Sequence, residues 1–391
     1  MSALVHYAQI GASVFVAAAF VGLALTVALG MAQRRLTARR PRRADRPPVS
    51  VVVPIKALDE GFVAAQESLF AQDYPDFDLT ITAKEASSPA IDAARAVLAA
   101  HPGAPSRIVR STATFAASPK VNNLYQAIED APHDIVFMKD SNIAIPTNGM
   151  SEAIACLTGE VGLVVAVPEA RGAENFAAEI EASIMNQSHG RILAAAAALG
   201  LGFGVGKLMV FRRSDLHKAG GFGAISHSVG EDSALARKLE EIGLRTVFMG
   251  APIYQSLGRR RIGDVFHRQL RWTVIRRHNE TFAFLIEPLG LASCTALAAA
   301  FAAPLWGAPA WAGAAGALTL WFGCETLLAL ARGWDVSKTA PLAMVARDAM
   351  MFAVWLSAWF TRNVVWAAQV FEAHRENETA EAPQVARGKD K

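Results

Sequence analysis

The sequence predicts an α/β domain on a mostly parallel sheet, set between apolar membrane segments at its two ends. Three observations predict it. Short β-branched runs alternate with helical stretches between residues 49 and 284. An uncharged apolar run occupies 8–32, and further long apolar runs follow residue 285. Of the 391 residues 52% are hydrophobic, which suits a soluble core with membrane segments attached better than one soluble domain. A net charge of +3 is too small to imply a nucleic-acid partner, and the clustering of the basic residues favours a basic patch beside a lipid bilayer. Cys156, Cys294 and Cys324 lie far apart and form neither a zinc pattern nor a disulfide framework.

The first element is "AQIGASVFVAAAFVGLALTVALGMA" (8–32), longer than the roughly 20 residues that cross a bilayer. Its positive charge follows it, in "QRRLTARRPRRADR", whereas a cleaved signal peptide carries charge ahead of a shorter apolar stretch. The expected layout is therefore an anchor over 1–32 with its N-terminus outside, a basic linker over 33–48, and a cytosolic domain over 49–284. In that domain the strands are "SVVVPI" (50–55), "DLTITA" (78–83), "RIVRS" (107–111), "DIVFMK" (134–139) and "GLVVAV" (162–167), with helices such as 62–72 and 89–100 between them. Sheets of this kind bind ligands beyond the carboxyl ends of their strands. Glu85, after the second strand, and Asp140, at the end of the fourth, would share that rim. For Asp140 the residues alone leave two readings, an ion or phosphate ligand and a strand-end cap.

The glycine-rich "GLGFGVGKL" (200–208) is not a phosphate-binding Walker loop, since Leu208 stands where Ser or Thr is needed. No GxGxxG opens a helix after the first strand, which disfavours nicotinamide and flavin enzymes. The run 192–206 reads either as an apolar surface resting on the membrane or as a core helix followed by a glycine turn. His189, His227 and His267 lack metal-ligand spacing.

Over 285–371 a C-terminal membrane region is expected. Residues 285–306 and 310–331 form a hairpin of two spans. "AMMFAVWLSAWFT" (349–361) is short for a span and reads as interfacial or re-entrant, with a full span as the competing view and Trp355, Trp359 and Trp366 at headgroup depth. Glu325, inside an apolar span, is either functional or snorkels toward the interface near Arg332. The tail 372–391 is polar and reads as disordered.

Four elements in order, "TAKEASSPA" (82–90), "MKDSNI" (138–143), "VGEDSALARKL" (229–239) and "RQLRW" (268–272), together with "SPKVNNL" (118–124), resemble the GT-A glycosyltransferases of the ceramide glucosyltransferase type, in family 21 and similar to family 2. The resemblance covers about residues 48–290 and, in outline, the membrane segments. It implies a GT-A nucleotide-sugar-binding domain that inverts the anomeric centre, moving a hexosyl group, glucose first, from a UDP-sugar to the hydroxyl of a membrane lipid, ceramide first. UDP-glucuronate or UDP-N-acetylglucosamine as donor, and hopanoid or diacylglycerol as acceptor, remain open. It also implies a divalent cation, Mg2+ or Mn2+, on Asp140 and Asn142. Asn142 departs from the second aspartate of the wider class and supplies only a neutral carbonyl oxygen.

By the same resemblance Glu85 holds the uridine, one methylene longer than the family's aspartate. Lys120, Asn122, Asp140, Arg268, Gln269, Arg271 and Trp272 meet the nucleotide-sugar, and Asp232 is the catalytic base. Without the resemblance, Asp232 also reads as an acid stabilising a helix N-terminus, and the basic run 268–277 as an amphipathic interfacial helix. The composition looks bacterial, so the expected place is the inner membrane. A processive polysaccharide synthase and a non-catalytic nucleotide-sugar binder are the competing functions.

Overall fold

The computed structural model describes residues 3–361 apart from 229, and a short hairpin pairing Asn363–Trp366 with Gln369–Glu372. The tail 373–391 and the side chain of Trp366 lie outside the described residues, and with them the disorder and headgroup depth expected there.

In chain order the strands are β1 (Val49–Ile55), β2 (Phe77–Ala83), β3 (Ser106–Arg110), β4 (Ile135–Lys139), β5 (Ile143–Ala144), β6 (Val161–Val165), β7 (Pro168–Ala173), β8 (Leu208–Arg212), β9 (Arg245–Phe248) and β10 (Ile253–Gly258). The helices are α1 (Ala3–Ala38), α2 (Phe62–Phe70), α3 (Pro89–Ala100), α4 (Pro119–Glu129), α5 (Gly149–Cys156), α6 (Phe176–Ser183), α7 (Arg191–Leu199), α8 (Arg213–Lys218), α9 (Glu231–Glu241), α10 (Ile262–Asn279), α11 (Thr281–Ile286), α12 (Ala292–Ala302), α13 (Ala310–Arg332) and α14 (Ala340–Phe360).

Seven strands form the main sheet in the order β3-β2-β1-β4-β8-β6-β9. Both faces of β1 are covered, which is why "VSVVVPI" is apolar at every position but Ser50 instead of alternating. Val51 and Val53 enter the core with α2, α3 and α5, while Val52 enters the opposite core with α4 and α9. The pairs β1–β2, β2–β3, β1–β4 and β6–β9 are parallel. β8 runs antiparallel between β4 and β6, a central strand that the sequence reading passed over along with β9 and β10. The chain order reverses between β1 and β4, so a crevice opens beyond the carboxyl ends of those two strands. β5, β10 and β7 make a second, three-stranded sheet.

α1 is longer than the anchor the sequence predicts and continues through the first part of the basic linker. Its 36 residues reach about 54 Å, well past the hydrocarbon thickness of a bilayer. The excess docks on the α/β domain: Gln33 donates to the Met249 carbonyl at 3.3 Å, and Arg40, just beyond, donates to the terminal carbonyls of α7 at Ala197 and Ala198. Buried Glu169 accepts from Arg332 at 2.8 Å, and Arg332 also donates to Gly30 and Gln33. One carboxylate on β7 thus ties α1, α13 and the α/β domain together.

Among the described residues three helices, α1, α13 and α14, are long and apolar enough to cross a membrane. Residues 281–306, read as a full span from 285 onward, are bent by 58° between Gly290 and Ala292, as a broken span or re-entrant segment is. The stretch read as too short belongs to α14, a 21-residue helix that starts at Ala340 because Arg347 and Asp348, taken as its charged boundary, pair with each other at 2.8 Å inside it. Glu325 does not snorkel: it is 1% exposed, accepts from Trp321 at 3.0 Å and pairs with Arg347 at 2.8 Å. An acid in an apolar helix is tolerated because α14 supplies its counter-ion.

Candidate functional site

Asp140 leaves β4 in a tight turn closed by the Ile143 N–H to its carbonyl at 3.2 Å. Gln66, wholly buried on α2, fixes that turn by donating to the Ser141 carbonyl at 2.5 Å. The carboxylate is a quarter exposed and faces two ammonium groups, Lys120 at 2.8 Å and Lys207 at 3.4 Å. Burial works to raise its pKa, but these lysines outweigh it and hold Asp140 below the usual carboxylate range. Asn142 lies in the same turn, half-buried.

Lys120 stands in the first turn of α4, whose start is set by the Ser118 hydroxyl accepting the Val121 N–H and by Pro119 behind it. Its ammonium binds Asp140, Glu231 at 3.1 Å and the Gly206 carbonyl at 2.7 Å. Burial alone would lower its pKa, and the surrounding acids reverse that to a net rise. Asn122 turns back on its own loop, donating to the Ala116 carbonyl at 2.7 Å and accepting its N–H at 2.8 Å, so it shapes the approach to α4. Its neighbour Asn123 donates to the carbonyls of Ile55 and Thr82 at 3.2 Å each, holding the ends of β1 and β2.

Asp232 opens α9, half-buried, and accepts the Gly206 N–H at 2.8 Å and the Ser233 N–H at 2.9 Å. Glu231 beside it is buried, and burial together with the Asp232 charge raises its pKa in spite of Lys120. The dipeptide Gly206–Lys207 therefore connects both halves of the rim. The Gly206 N–H holds Asp232 and its carbonyl holds Lys120, while Lys207 meets Asp140 through its ammonium and accepts the Asp140 N–H at 3.0 Å on its carbonyl. The glycines before it permit this approach. A Cβ on Gly204 would lie 2.2 Å from the Asp232 carbonyl carbon, and one on Gly202 1.8 Å from the Thr246 oxygen. Upstream, α7 packs small alanines inward and leaves Ile192 and Leu199 exposed, as are Leu201 and Phe203 after it. The run 192–206 is thus a core helix followed by a glycine turn, with four apolar side chains left exposed on its outer face.

α10 carries Arg268, Gln269, Arg271 and Trp272 along the rim. Arg268 is held by Glu181, a fully buried acid on α6 that also pairs with Arg260 at 3.0 Å. Arg271 lies within electrostatic reach of Glu231 and Arg268, and burial lowers its pKa. Gln269 is 1% exposed and its amide nitrogen has no hydrogen-bond partner among the described residues. Trp272 is half-buried. Glu85, exposed beyond β2, sits at one end of a groove of about 610 Å³ along edge strand β3 that also takes in Arg95, Arg107 and Arg110. Lys56, just past β1, lies within electrostatic reach of Glu85 and Arg271.

The structure thus brings Lys120, Asp140, Asp232, Arg268 and Arg271 to one rim and leaves Glu85 further out along it. Glu181, Lys207, Gln66, Asn123 and Lys56 were missed. Lys207 and Asn123 sat inside motifs already noted and Lys56 directly follows the first strand, whereas Glu181 carries no local signal.

Among the described residues no group of three or more His, Cys, Asp or Glu is arranged to hold a metal ion. Both Asp140 oxygens already face ammonium groups, whose charge opposes a second cation. In the free protein the two lysines occupy the place where Asp140 would hold Mg2+ or Mn2+, and neutral Asn142 beside it adds only a carbonyl oxygen.

Lys139 is fully buried on β4, within 3.4 Å of Gln66, and burial pushes its ammonium down to about 7. Between that value and its ordinary one the unfolded chain binds the extra proton, so stability rises with pH there, by at most ~1.4 kcal/mol per pH unit. Lys139→Met should be more stable than the wild type below pH 7, and the gap between their thermal midpoints should close from pH 7 to 9. A constant gap would refute the assignment.

A sheet reversing between β1 and β4, with acids and cations gathered at that crevice, agrees with the GT-A glycosyltransferase fold expected from the sequence. The chain belongs to glycosyl transferase family 21, whose model matches residues 14–379. It is 23% identical over 265 residues to ceramide glucosyltransferase 3 of Caenorhabditis elegans, covering 67% of this chain and 58% of that one. It is 25% identical over 298 residues to the ceramide glucosyltransferase of Komagataella phaffii, covering 61% and 58%. The chain thus spans a little over half the length of these relatives. Among solved structures, the mannosyltransferase PcManGT from Pyrobaculum calidifontis, in complex with GDP-Man and Mn2+, is similar in fold, with a TM-score of 0.51 and 18% identity over 89% of this chain and 99% of that one.

Proposed function

We propose that the protein transfers a hexosyl group, glucose first, from a UDP-sugar to the hydroxyl of a membrane lipid, ceramide first, with inversion. The observation that carries this reading is the shared anchorage of Asp232, Lys120 and Asp140 on Gly206–Lys207. A carboxylate thus stands beside a cation-lined crevice, next to α10 and the apolar segments that follow, which supports the reading.

In this reading the uridine lies toward Glu85 and Lys56, and the diphosphate toward Arg268 and Arg271, whose guanidinium forks suit phosphate oxygens. The lipid hydroxyl enters past Trp272. Asp232 takes its proton as the oxygen attacks the anomeric carbon, and the carbon–phosphate-oxygen bond breaks with its electron pair leaving on UDP. One displacement inverts the centre. With the basic juxtamembrane residues inside, the catalytic domain faces the cytosol, at the inner membrane if the chain is bacterial.

The test is to incubate purified protein with a panel of UDP-sugars and lipid extracts and to identify products by mass spectrometry. A discrete hexosyl-lipid in the organic phase is expected. A growing polymer in the aqueous phase, or no product with any UDP-sugar, would refute it.

A further inference from the structure

We propose that Lys207 is a diphosphate-binding residue: it rests on Asp140 in the free protein and passes to the leaving phosphate when the donor binds. The inference rests on the nucleotide-sugar reading and deepens it. Three observations carry it.

The two lysines at Asp140 are not equivalent. Lys120 is enclosed by Asp140, Glu231 and the Gly206 carbonyl at 2.7 to 3.1 Å, whereas Lys207 approaches Asp140 at 3.4 Å with a fifth of its side chain exposed. Lys207 also shares its surroundings with Lys120 and Arg268, cations that oppose its own charge. Asp140 alone is a weak counterweight to that cluster, and an anion with two or more charges is a stronger one. Finally, the Lys207 backbone is fixed: its carbonyl accepts from Asp140, and Gly206 before it holds Asp232. The ammonium can therefore move on its flexible four-carbon stem while the base stays in place. Lys207 would then meet the charge that develops on the phosphate oxygen as its bond to the anomeric carbon breaks, work that a divalent cation does elsewhere.

The probes are UDP and uridine, titrated calorimetrically against the full-length protein in detergent with excess chelator, so that no divalent ion contributes. Lys207→Met should weaken UDP binding by about ten- to a hundredfold, the loss of one charge-assisted contact, and leave uridine binding unchanged. Lys207→Arg, which keeps the charge, should stay within about threefold of the wild type. UDP binding unaltered by Lys207→Met would overturn the proposal. So would equal losses for UDP and uridine, which mean a structural role, or a wild type whose UDP binding vanishes in chelator. A wild type that binds no UDP even with divalent ions present would overturn the nucleotide-sugar reading as well. Should Lys207→Met fail to fold, an Arg variant with UDP binding reduced as much as Lys207→Gln would still refute it.

Discussion

Asp232→Asn is expected to lower the transfer rate by about 10²- to 10⁴-fold, the usual contribution of a positioned general base. UDP binding and the thermal midpoint should stay near their wild-type values. The separation is expected because Asn keeps the size of Asp and an oxygen that can still accept the Gly206 N–H, now 2.8 Å from the carboxylate, while it cannot take a proton from an alcohol. Glu231 is the necessary control. It adjoins Asp232 but is buried against Lys120 and Ser118, so its carboxylate already has partners inside the rim. Glu231→Gln should therefore disturb Lys120 and donor affinity more than the chemical step. Rates in membranes or nanodiscs at saturating donor and acceptor decide it. If Asp232→Asn turns over normally and Glu231→Gln does not, the base has been assigned to the wrong acid.

The separate fates of these neighbouring acids show what can be read along a chain. Asp140 and Glu85 were legible because strand ends of a parallel sheet converge on one rim, and a β-branched run followed by a charge marks each end. Asp232 was legible as a helix-opening acid. What holds these groups left no such mark. Gly206 acts through its own N–H and carbonyl, so its identity shows only that the backbone must come close. β8, with its plain apolar "LMVF", is antiparallel because of where the chain returns, which periodicity does not encode. Length alone misjudged the membrane segments: α14 contains Arg347 and Asp348 because Glu325, 22 positions earlier, completes a charge group that no local window reveals.

Glu181 is the extreme case of such a distant partner, and Glu181→Ala should be the most damaging substitution outside the rim. Its carboxylate is wholly buried and serves two guanidinium groups, Arg260 and Arg268. Removing it leaves two mostly buried cations unpaired, and breaking a buried ion pair from one side costs about 3–5 kcal/mol. A marked fall in the thermal midpoint is expected. Donor affinity should also fall, because Arg268 is aimed along the rim by Glu181 and would be drawn toward other acids, Glu231 among them. Stability and aim can be told apart with Arg268→Met. If Glu181 matters to the donor through Arg268, Glu181→Gln, which keeps the shape and one acceptor oxygen, should weaken UDP binding in the wild-type background and have little further effect on Arg268→Met. Such non-additivity is the signature of two residues acting as one unit. Strictly additive losses in UDP affinity would mean that Glu181 serves only the fold. Arg268 would then owe its direction to α10 itself, and the acid on α6 would have no share in donor binding.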